Sequence, residues 1–291
     1  MTKERTFHEK LVEGWAQGRY VCVGIDPVLD KIRLQTGNTH YARVEHEIEG
    51  FVTGIAQATH DIALAYKPNI AFFEAFGKAG WDTLQGAIGA IRRYAPDAPI
   101  ILDVKRADIG ATNAGYVKAY FDELKVDAVT VHPYLGEEAL KPFLERAEKG
   151  VFVLCRTSNQ GAGEFQDLVI DSSERAPREL LYQRVARNVA EWHTRWGNVG
   201  LVVGATYPEE ILCVRETVGS ALPLLIPGVG TQGGDVTRAV QVARSAFLLN
   251  SSGGLLYPKR APDEDFSEAT RRVTRGLHID IIQALEDLQA L

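Results

Sequence analysis

Short apolar, β-branched runs alternate along the chain with longer amphipathic stretches. The strand-like runs cover residues 20–25, 62–66, 100–104, 128–131, 151–155, 199–203, 223–226 and 246–250. Between most of them the apolar positions repeat at helical spacing, as in 41–59, 80–94, 112–124, 176–196, 208–218 and 234–244. Near-continuous apolar strands have both faces covered, which predicts a parallel sheet flanked by helices. Eight such units predict a closed (β/α)8 TIM barrel of the α/β class, spanning residues 1–291 as a single domain. The segment 263–291 repeats Val273, Leu277, Ile281, Leu285 and Leu288 at helical spacing, and predicts a C-terminal helix that closes the barrel. A doubly wound open sheet is the alternative. Its nucleotide-binding form usually shows Gly-x-Gly-x-x-Gly after the first strand, where this chain has Gly24-Ile25-Asp26-Pro27. The longest irregular stretch, 161–177, follows the fifth strand and reads as a lid or binding loop.

A barrel places reactive groups where the carboxyl ends of its strands meet the following loops. Polar residues fall there with regularity. Asp26 ends the first strand, Lys67 the second, Asp103 and Lys105 the third, and His132 the fourth. Arg156-Thr157-Ser158-Asn159 follows the fifth, a glycine-rich stretch from Pro227 to Gly234 the seventh, and Asn250-Ser251-Ser252-Gly253-Gly254 the eighth. Closely spaced glycines let main-chain N–H groups converge on an anion, so the last two stretches point to a phosphorylated substrate.

The third strand carries the densest chemistry. In Ile101-Leu102-Asp103-Val104-Lys105-Arg106-Ala107-Asp108, an apolar run ends in charges of alternating sign. Side chains two apart share a face of a strand, so Asp103 and Lys105 point the same way, with Asp108 just beyond. Charges held at the end of a buried strand cost several kcal/mol unless paired. Their collection here reads as chemistry, with a structural salt-bridge network as the plain alternative.

Bulk properties narrow the partners. The chain has 291 residues, 45% hydrophobic and 24% charged, with a formal net charge of −6. That balance predicts an ordinary globular protein without a nucleic-acid surface. Cys22, Cys155 and Cys213 lie in apolar runs with no metal-ligand spacing, and read as buried thiols of a cytoplasmic protein. Residues 1–10 are polar, unlike a signal peptide, and no run approaches the 18 or so apolar residues of a membrane span. His132 reads as a packing histidine, Trp15, Trp81, Trp192 and Trp196 as core or interface residues, and Arg271, Arg272 and Arg275 as a solvated helix face.

Asp103-x-Lys105-x-x-Asp108-Ile109 followed by Thr112-Asn113 resembles the signature of the orotidine 5′-phosphate decarboxylases, most closely their longer bacterial branch. The similarity extends from about residue 21 to 257 through five motifs in order. Val23-Gly24-Ile25-Asp26-Pro27 matches a motif whose aspartate contacts ribose. Tyr66-Lys67-Pro68-Asn69 matches one whose lysine bonds ribose and the catalytic aspartate. Asp103, Lys105 and Asp108 fill the catalytic positions, and Ser158 falls where a serine reads the pyrimidine. Pro227-Gly228-Val229-Gly230-x-Gln232-Gly233-Gly234 matches the phosphate loop, with Gln232 as the phosphate contact.

The resemblance implies conversion of orotidine 5′-monophosphate to uridine 5′-monophosphate and CO2 without metal or cofactor, Lys105 protonating C6. It also implies a homodimer in which Asp108 and Thr112 reach the partner's site. One position departs from the pattern: Gly253 stands where the family usually has a phosphate-gripping arginine, a contact worth about 1.5–3 kcal/mol. Lys259 and Arg260, just downstream, are the expected substitutes. Two other readings stay open. One is a sister enzyme that stabilises an enediolate with Mg2+, although Lys67 stands where that chemistry needs a carboxylate. The other is a non-catalytic phosphate- or nucleotide-binding barrel.

Overall fold

The computed structural model describes residues 5–37, 43–170, 178–229 and 234–290. In chain order the strands are β1 (Val21–Ile25), β2 (Ala63–Pro68), β3 (Ile101–Arg106), β4 (Ala128–Val131), β5 (Gly150–Arg156), β6 (Val169–Ile170), β7 (Glu179–Leu180), β8 (Val199–Val203), β9 (Leu224–Pro227) and β10 (Phe247–Ser251). Hydrogen bonding runs β2-β1-β10-β9-β8-β5-β4-β3, with every adjacent pair parallel. The remaining seam, between β2 and β3, closes through the bridges Tyr66–Ile100 and Asn69–Asp103. The eight strands expected from the sequence are the eight barrel strands. The short β6 and β7 form a separate antiparallel hairpin in the loop after β5.

The helices are α1 (Phe7–Ala16), α2 (Leu29–Thr36), α3 (Val44–Thr59), α4 (Ile70–Glu74), α5 (Lys78–Tyr94), α6 (Gly110–Val117), α7 (Gly136–Leu144), α8 (Gly163–Gln166), α9 (Leu181–Trp196), α10 (Pro208–Val218), α11 (Val236–Ala243), α12 (Gly253–Leu256) and α13 (Phe266–Gln289). The C-terminal α13 packs between α3 and α11 and completes the outer ring, as expected. None of the described helices is long and apolar enough to cross a membrane.

The first helix was hidden by the polar look of the chain's start. Thr6 caps α1 reciprocally with Glu9, and the helix lays Phe7 and Leu11 across the amino-terminal mouth of the barrel. There they join Cys22, Leu64, Ala65, Ile101, Ala128, Phe152, Val202, Leu225 and Leu248 in an interior cluster separate from the larger core between strands and helices. Gly150 admits the Phe7 ring: a Cβ at that position would lie 2.3 Å from Phe7 Cδ1. Trp15 Nε1 donates to the Phe247 carbonyl at 2.8 Å.

Strand parity carries this plug to the site. Two residues beyond Ala65, Ile101, Ala128 and Leu248, on the same inward face, stand Lys67, Asp103, Thr130 and Asn250. The apolar layer therefore forms the floor on which the polar layer rests. On the flank, Arg215 of α10 is buried and donates to the carbonyls of Ala243, Gly219, Leu222 and Ser245 at 2.7–2.9 Å. It fastens the turns entering β9 and β10.

Candidate active site

A cavity of about 530 Å³ opens at the carboxyl ends of the strands. Asp26, Lys67, Asp103, Lys105, Ser158 and Gly253 all line it, together with Asn69, Thr130, Gln166 and Asn250. Six of the ten site residues named from the sequence thus converge. Gly230 and Gln232 lie outside the described residues, although Gly228 and Val229, just before them, line the same cavity.

Asp103 is the hub. Its Oδ2 accepts from Lys67 Nζ at 2.9 Å, and its Oδ1 accepts from Lys105 Nζ at 2.6 Å and Thr130 Oγ1 at 2.8 Å. Burial alone would raise the pKa of this carboxyl, but the two ammonium groups more than offset it and hold it well below the usual carboxylate range. Burial likewise opposes the charge on Lys67, and the negative charges of Asp103 and Asp26 outweigh it, so its pKa lies above the ordinary lysine value. Lys67 is 4% exposed, whereas the Lys105 side chain is 50% exposed and reaches into the cavity. One ammonium is structural and locked; the other is accessible to a ligand.

The backbone at Lys105 explains how two nearby residues of one strand both serve the hub. Its φ is 45°, in the left-handed region, which costs a non-glycine residue about 1–2 kcal/mol. Pairing between β3 and β4 shifts register there: Leu102 faces Val129 and Arg106 faces Val131, so β3 carries extra residues in a bulge. Sequence parity put Asp103 and Lys105 on one face, and the bulge then re-aims Lys105 over the carboxylate.

Asp26 sits across the cavity. Burial raises its pKa above the ordinary value, the charge of Lys67 offsetting only part of the shift, and its buried Oδ1 has no protein partner. Buried Asn250 Oδ1 is also unpartnered. Such acceptors invite hydroxyl or N–H donors from a ligand. The Tyr257 hydroxyl accepts from Val28 N at 2.8 Å and donates to the Asp26 carbonyl at 2.9 Å, which fixes the loop after β1. Gly24 is required beside it, because a Cβ there would lie 1.9 Å from Ser252 Oγ.

Ser158 is steadied by a brace that the sequence did not reveal. Gln166 Oε1 accepts from Thr157 N at 2.9 Å, and Gln166 Nε2 donates to Thr157 Oγ1 at 2.8 Å, tying α8 to the segment after β5. Buried Arg156 donates to Asp167 Oδ2 at 3.1 Å and lies over the Tyr207 ring.

Asp108 and Thr112 do not line the cavity. Asp108 is half-buried ahead of α6, held by Asn113, whose Oδ1 accepts from Asp108 N at 3.0 Å and whose Nδ2 donates to the Asp108 carbonyl at 2.6 Å. Thr112 is exposed, beside the exposed Ile109. Lys259 and Arg260 also lie elsewhere, around a shallow depression with Ala261, Pro262 and Asp265. Their segment is anchored by Arg272, which donates to the Lys259 carbonyl, and by Gln35, which donates to the Pro258 carbonyl. Lys67 and Lys105 are the only cationic side chains among the described lining residues. His132 lines a neighbouring, largely apolar cavity of about 360 Å³ with Tyr182 and Trp192, in keeping with a packing role. Among the described residues no cluster of His, Cys, Asp and Glu could hold a metal ion.

A model of the orotidine 5′-phosphate decarboxylase / HUMPS family matches residues 19–254. The chain belongs to that family. A Herpetosiphon aurantiacus protein named orotidine 5′-phosphate decarboxylase is 44% identical over 259 residues, covering 88% of this chain and 90% of that one. A Ralstonia pickettii protein of the same name is 43% identical over 283 residues, covering 95% and 98%. Among solved structures, Leishmania donovani OMP decarboxylase is 32% identical with a TM-score of 0.77, covering 95% of this chain and 99% of that one. Leishmania donovani UMP synthase gives 33% identity and a TM-score of 0.81, but this chain spans only 57% of its length. Of the charged signature read in the sequence, Asp103 and Lys105 meet at the hub, whereas Asp108 lies outside the cavity.

Proposed function

We propose that this chain decarboxylates orotidine 5′-monophosphate to uridine 5′-monophosphate and CO2, the last step of de novo UMP synthesis. The observation that carries the reading is the Lys67–Asp103–Lys105 array at the rim of a family barrel, with one ammonium free to meet a ligand. The Herpetosiphon aurantiacus and Ralstonia pickettii relatives, alike over nearly their whole length, support the same substrate.

When the bond from C6 to the carboxylate breaks, its electron pair stays on a ring carbon with no carbonyl placed to delocalise it. Lys105 stands as the cation beside that charge and then as the acid, passing a proton from Nζ to C6. Asp103 lies near the departing carboxylate and fixes the Lys105 ammonium, while Lys67 keeps Asp103 ionised. Asp26 takes the ribose, Ser158 the pyrimidine, and the glycine-rich stretches, with Gln232, Gly230 and Gly253, the phosphate. The reaction as written uses no metal or cofactor. A lysine charge acts on each carboxylate of the hub region, that of Lys67 on Asp26 and those of Lys67 and Lys105 on Asp103.

The reading extends to a homodimer in which Asp108 and Thr112 complete the partner's site. Their position outside the cavity, on either side of exposed Ile109 in the chain, supports it. Lys105→Ala should abolish turnover of orotidine 5′-monophosphate, followed by absorbance, while the variant still binds uridine 5′-monophosphate. Near-wild-type turnover would refute the role of Lys105, and an inert wild-type protein would refute the activity. Mixing inactive Lys105→Ala and Asp108→Ala proteins should regenerate activity. A mixture as inactive as its components removes the shared site.

A further inference from the structure

We infer that Thr130 of β4 is a positioning residue that sets both the left-handed backbone of Lys105 and the orientation of the Asp103 carboxylate. This rests on the proposed decarboxylation only for its kinetic test. Thr130 is 1% exposed, faces the barrel interior and lines the cavity. Its Oγ1 accepts from Val104 N and Lys105 N, each at 3.0 Å, and donates to Asp103 Oδ1 at 2.8 Å. A hydroxyl offers one donor and two acceptor positions, and here all three are used.

The N–H groups of two successive residues in the β3 bulge are thereby gathered onto one oxygen. That convergence is what a bulged strand needs, because the extra residues fall out of step with the neighbouring ladder. Threonine suits the task, since branching at Cβ restricts χ1 and keeps the hydroxyl aimed at one point. The same oxygen then orients the Asp103 carboxylate, so that Oδ1 meets Lys105 and Oδ2 meets Lys67. Thr130 touches neither C6 nor the departing carboxylate in this scheme. It acts through the two residues that do.

The experiment compares Thr130→Val, which keeps the shape and removes the hydroxyl, with Thr130→Ser, which keeps the hydroxyl and removes the methyl. Turnover of orotidine 5′-monophosphate is measured well below the unfolding temperature, alongside the affinity for uridine 5′-monophosphate. A small misplacement of a reacting group costs on the order of 100-fold in rate. Thr130→Val should therefore lose about that factor in kcat with little change in product affinity, and Thr130→Ser should recover most of it. Should Thr130→Val fail to fold, Thr130→Ala takes its place with the same expectation. A crystal structure of the hydroxyl-free variant should show Lys105 outside the left-handed region or Asp103 rotated. Wild-type kcat in the valine or alanine variant overturns the inference, as do equal losses in the valine and serine variants. If the wild-type protein turns over no orotidine 5′-monophosphate, the functional reading fails alone. The crystallographic arm then decides the positioning role, which an unmoved Lys105 and Asp103 would refute.

Discussion

Replacing Asp103 by Asn removes the anion that two ammonium groups share while keeping its size. The cost falls unequally. Lys105 is half-exposed and can turn to water, so its lost ion pair contributes little to stability. Lys67 is buried, and its 2.9 Å bond to Asp103 is the ion pair that holds it. Breaking a buried pair by removing one partner costs about 3–5 kcal/mol. The low end applies, because Asp26 still contributes negative charge near Lys67 and asparagine still offers an oxygen. The expected loss of about 3 kcal/mol corresponds to a fall of roughly 6–12 °C in Tm for a chain of this size. Equilibrium urea unfolding of Asp103→Asn should show it as a lower midpoint at unchanged slope. The double variant Lys67→Met/Asp103→Asn, which also removes the stranded ammonium, should recover at least half of the loss while remaining inactive. A single variant that unfolds at the wild-type midpoint would show that Lys67 does not depend on Asp103, and the hub would lose its electrostatic basis.

Three other outcomes follow from particular residues. Arg215 holds four carbonyls at 2.7–2.9 Å with no acidic partner among the described residues, and burial lowers its pKa to about 10, so Arg215→Met should cost about 3–5 kcal/mol by leaving buried carbonyls unpaired. Urea unfolding checks it, and a loss below about 1 kcal/mol would rule out the fastening role. Asp26 should titrate above the usual carboxylate range, its signal in carboxyl 13C NMR vanishing in Asp26→Asn. A carboxyl raised in the folded state binds its proton more tightly there, so ionising it weakens folding as pH climbs from the unfolded value through the folded one, and Asp26→Asn should remove that fall. Gly253→Arg should lower KM for orotidine 5′-monophosphate about tenfold or more, the worth of one charge-assisted phosphate contact, and an unchanged KM would place the phosphate elsewhere.

The barrel was legible because its strands are buried on both faces and its helices on one, so two periodicities separate cleanly in the sequence. All eight strands were found for that reason. The plug α1 was not, because Phe7, Leu11 and Trp15 suffice to cover the barrel mouth while His8, Glu9, Val12 and Glu13 are exposed. At the site, Lys67, Asp103 and Lys105 announced themselves as charges in apolar surroundings. Thr130 and Gln166 carry no charge and act by hydrogen bonds whose partners lie 25 to 27 and 9 residues away, which no local pattern exposes. Thr130 left one trace, a polar residue on the inward face of an otherwise apolar strand. Lys259 and Arg260, expected in place of the missing arginine, do not line the cavity, because nearness in sequence does not survive the turn after α12. Pro258 is buried and its carbonyl is bonded, and the two exposed cations that follow line a separate depression.

The charge balance of the cavity then limits how it can bind. Asp26 and Asp103 oppose Lys67 and Lys105, so the four described ionisable side chains that line it sum to zero when all are charged. A nucleotide bearing a carboxylate and a phosphate brings about three negative charges at neutral pH. Both lysines are already drawn toward Asp103, so the described lining side chains supply no surplus cation at the Gly253 end. In the proposed function, holding phosphate there falls to neutral dipoles, the main-chain N–H groups and hydroxyls of the stretches after β9 and β10. Neutral donors fixed in place by the fold bind an anion without adding a charge that would pull Lys105 from Asp103. An arginine installed at residue 253 is therefore expected to tighten binding and leave kcat nearly unchanged. A fall in kcat alongside the tighter binding would mean that the hub responds to charge at the phosphate end, contrary to an array held rigid by Lys67, Thr130 and the β3 bulge.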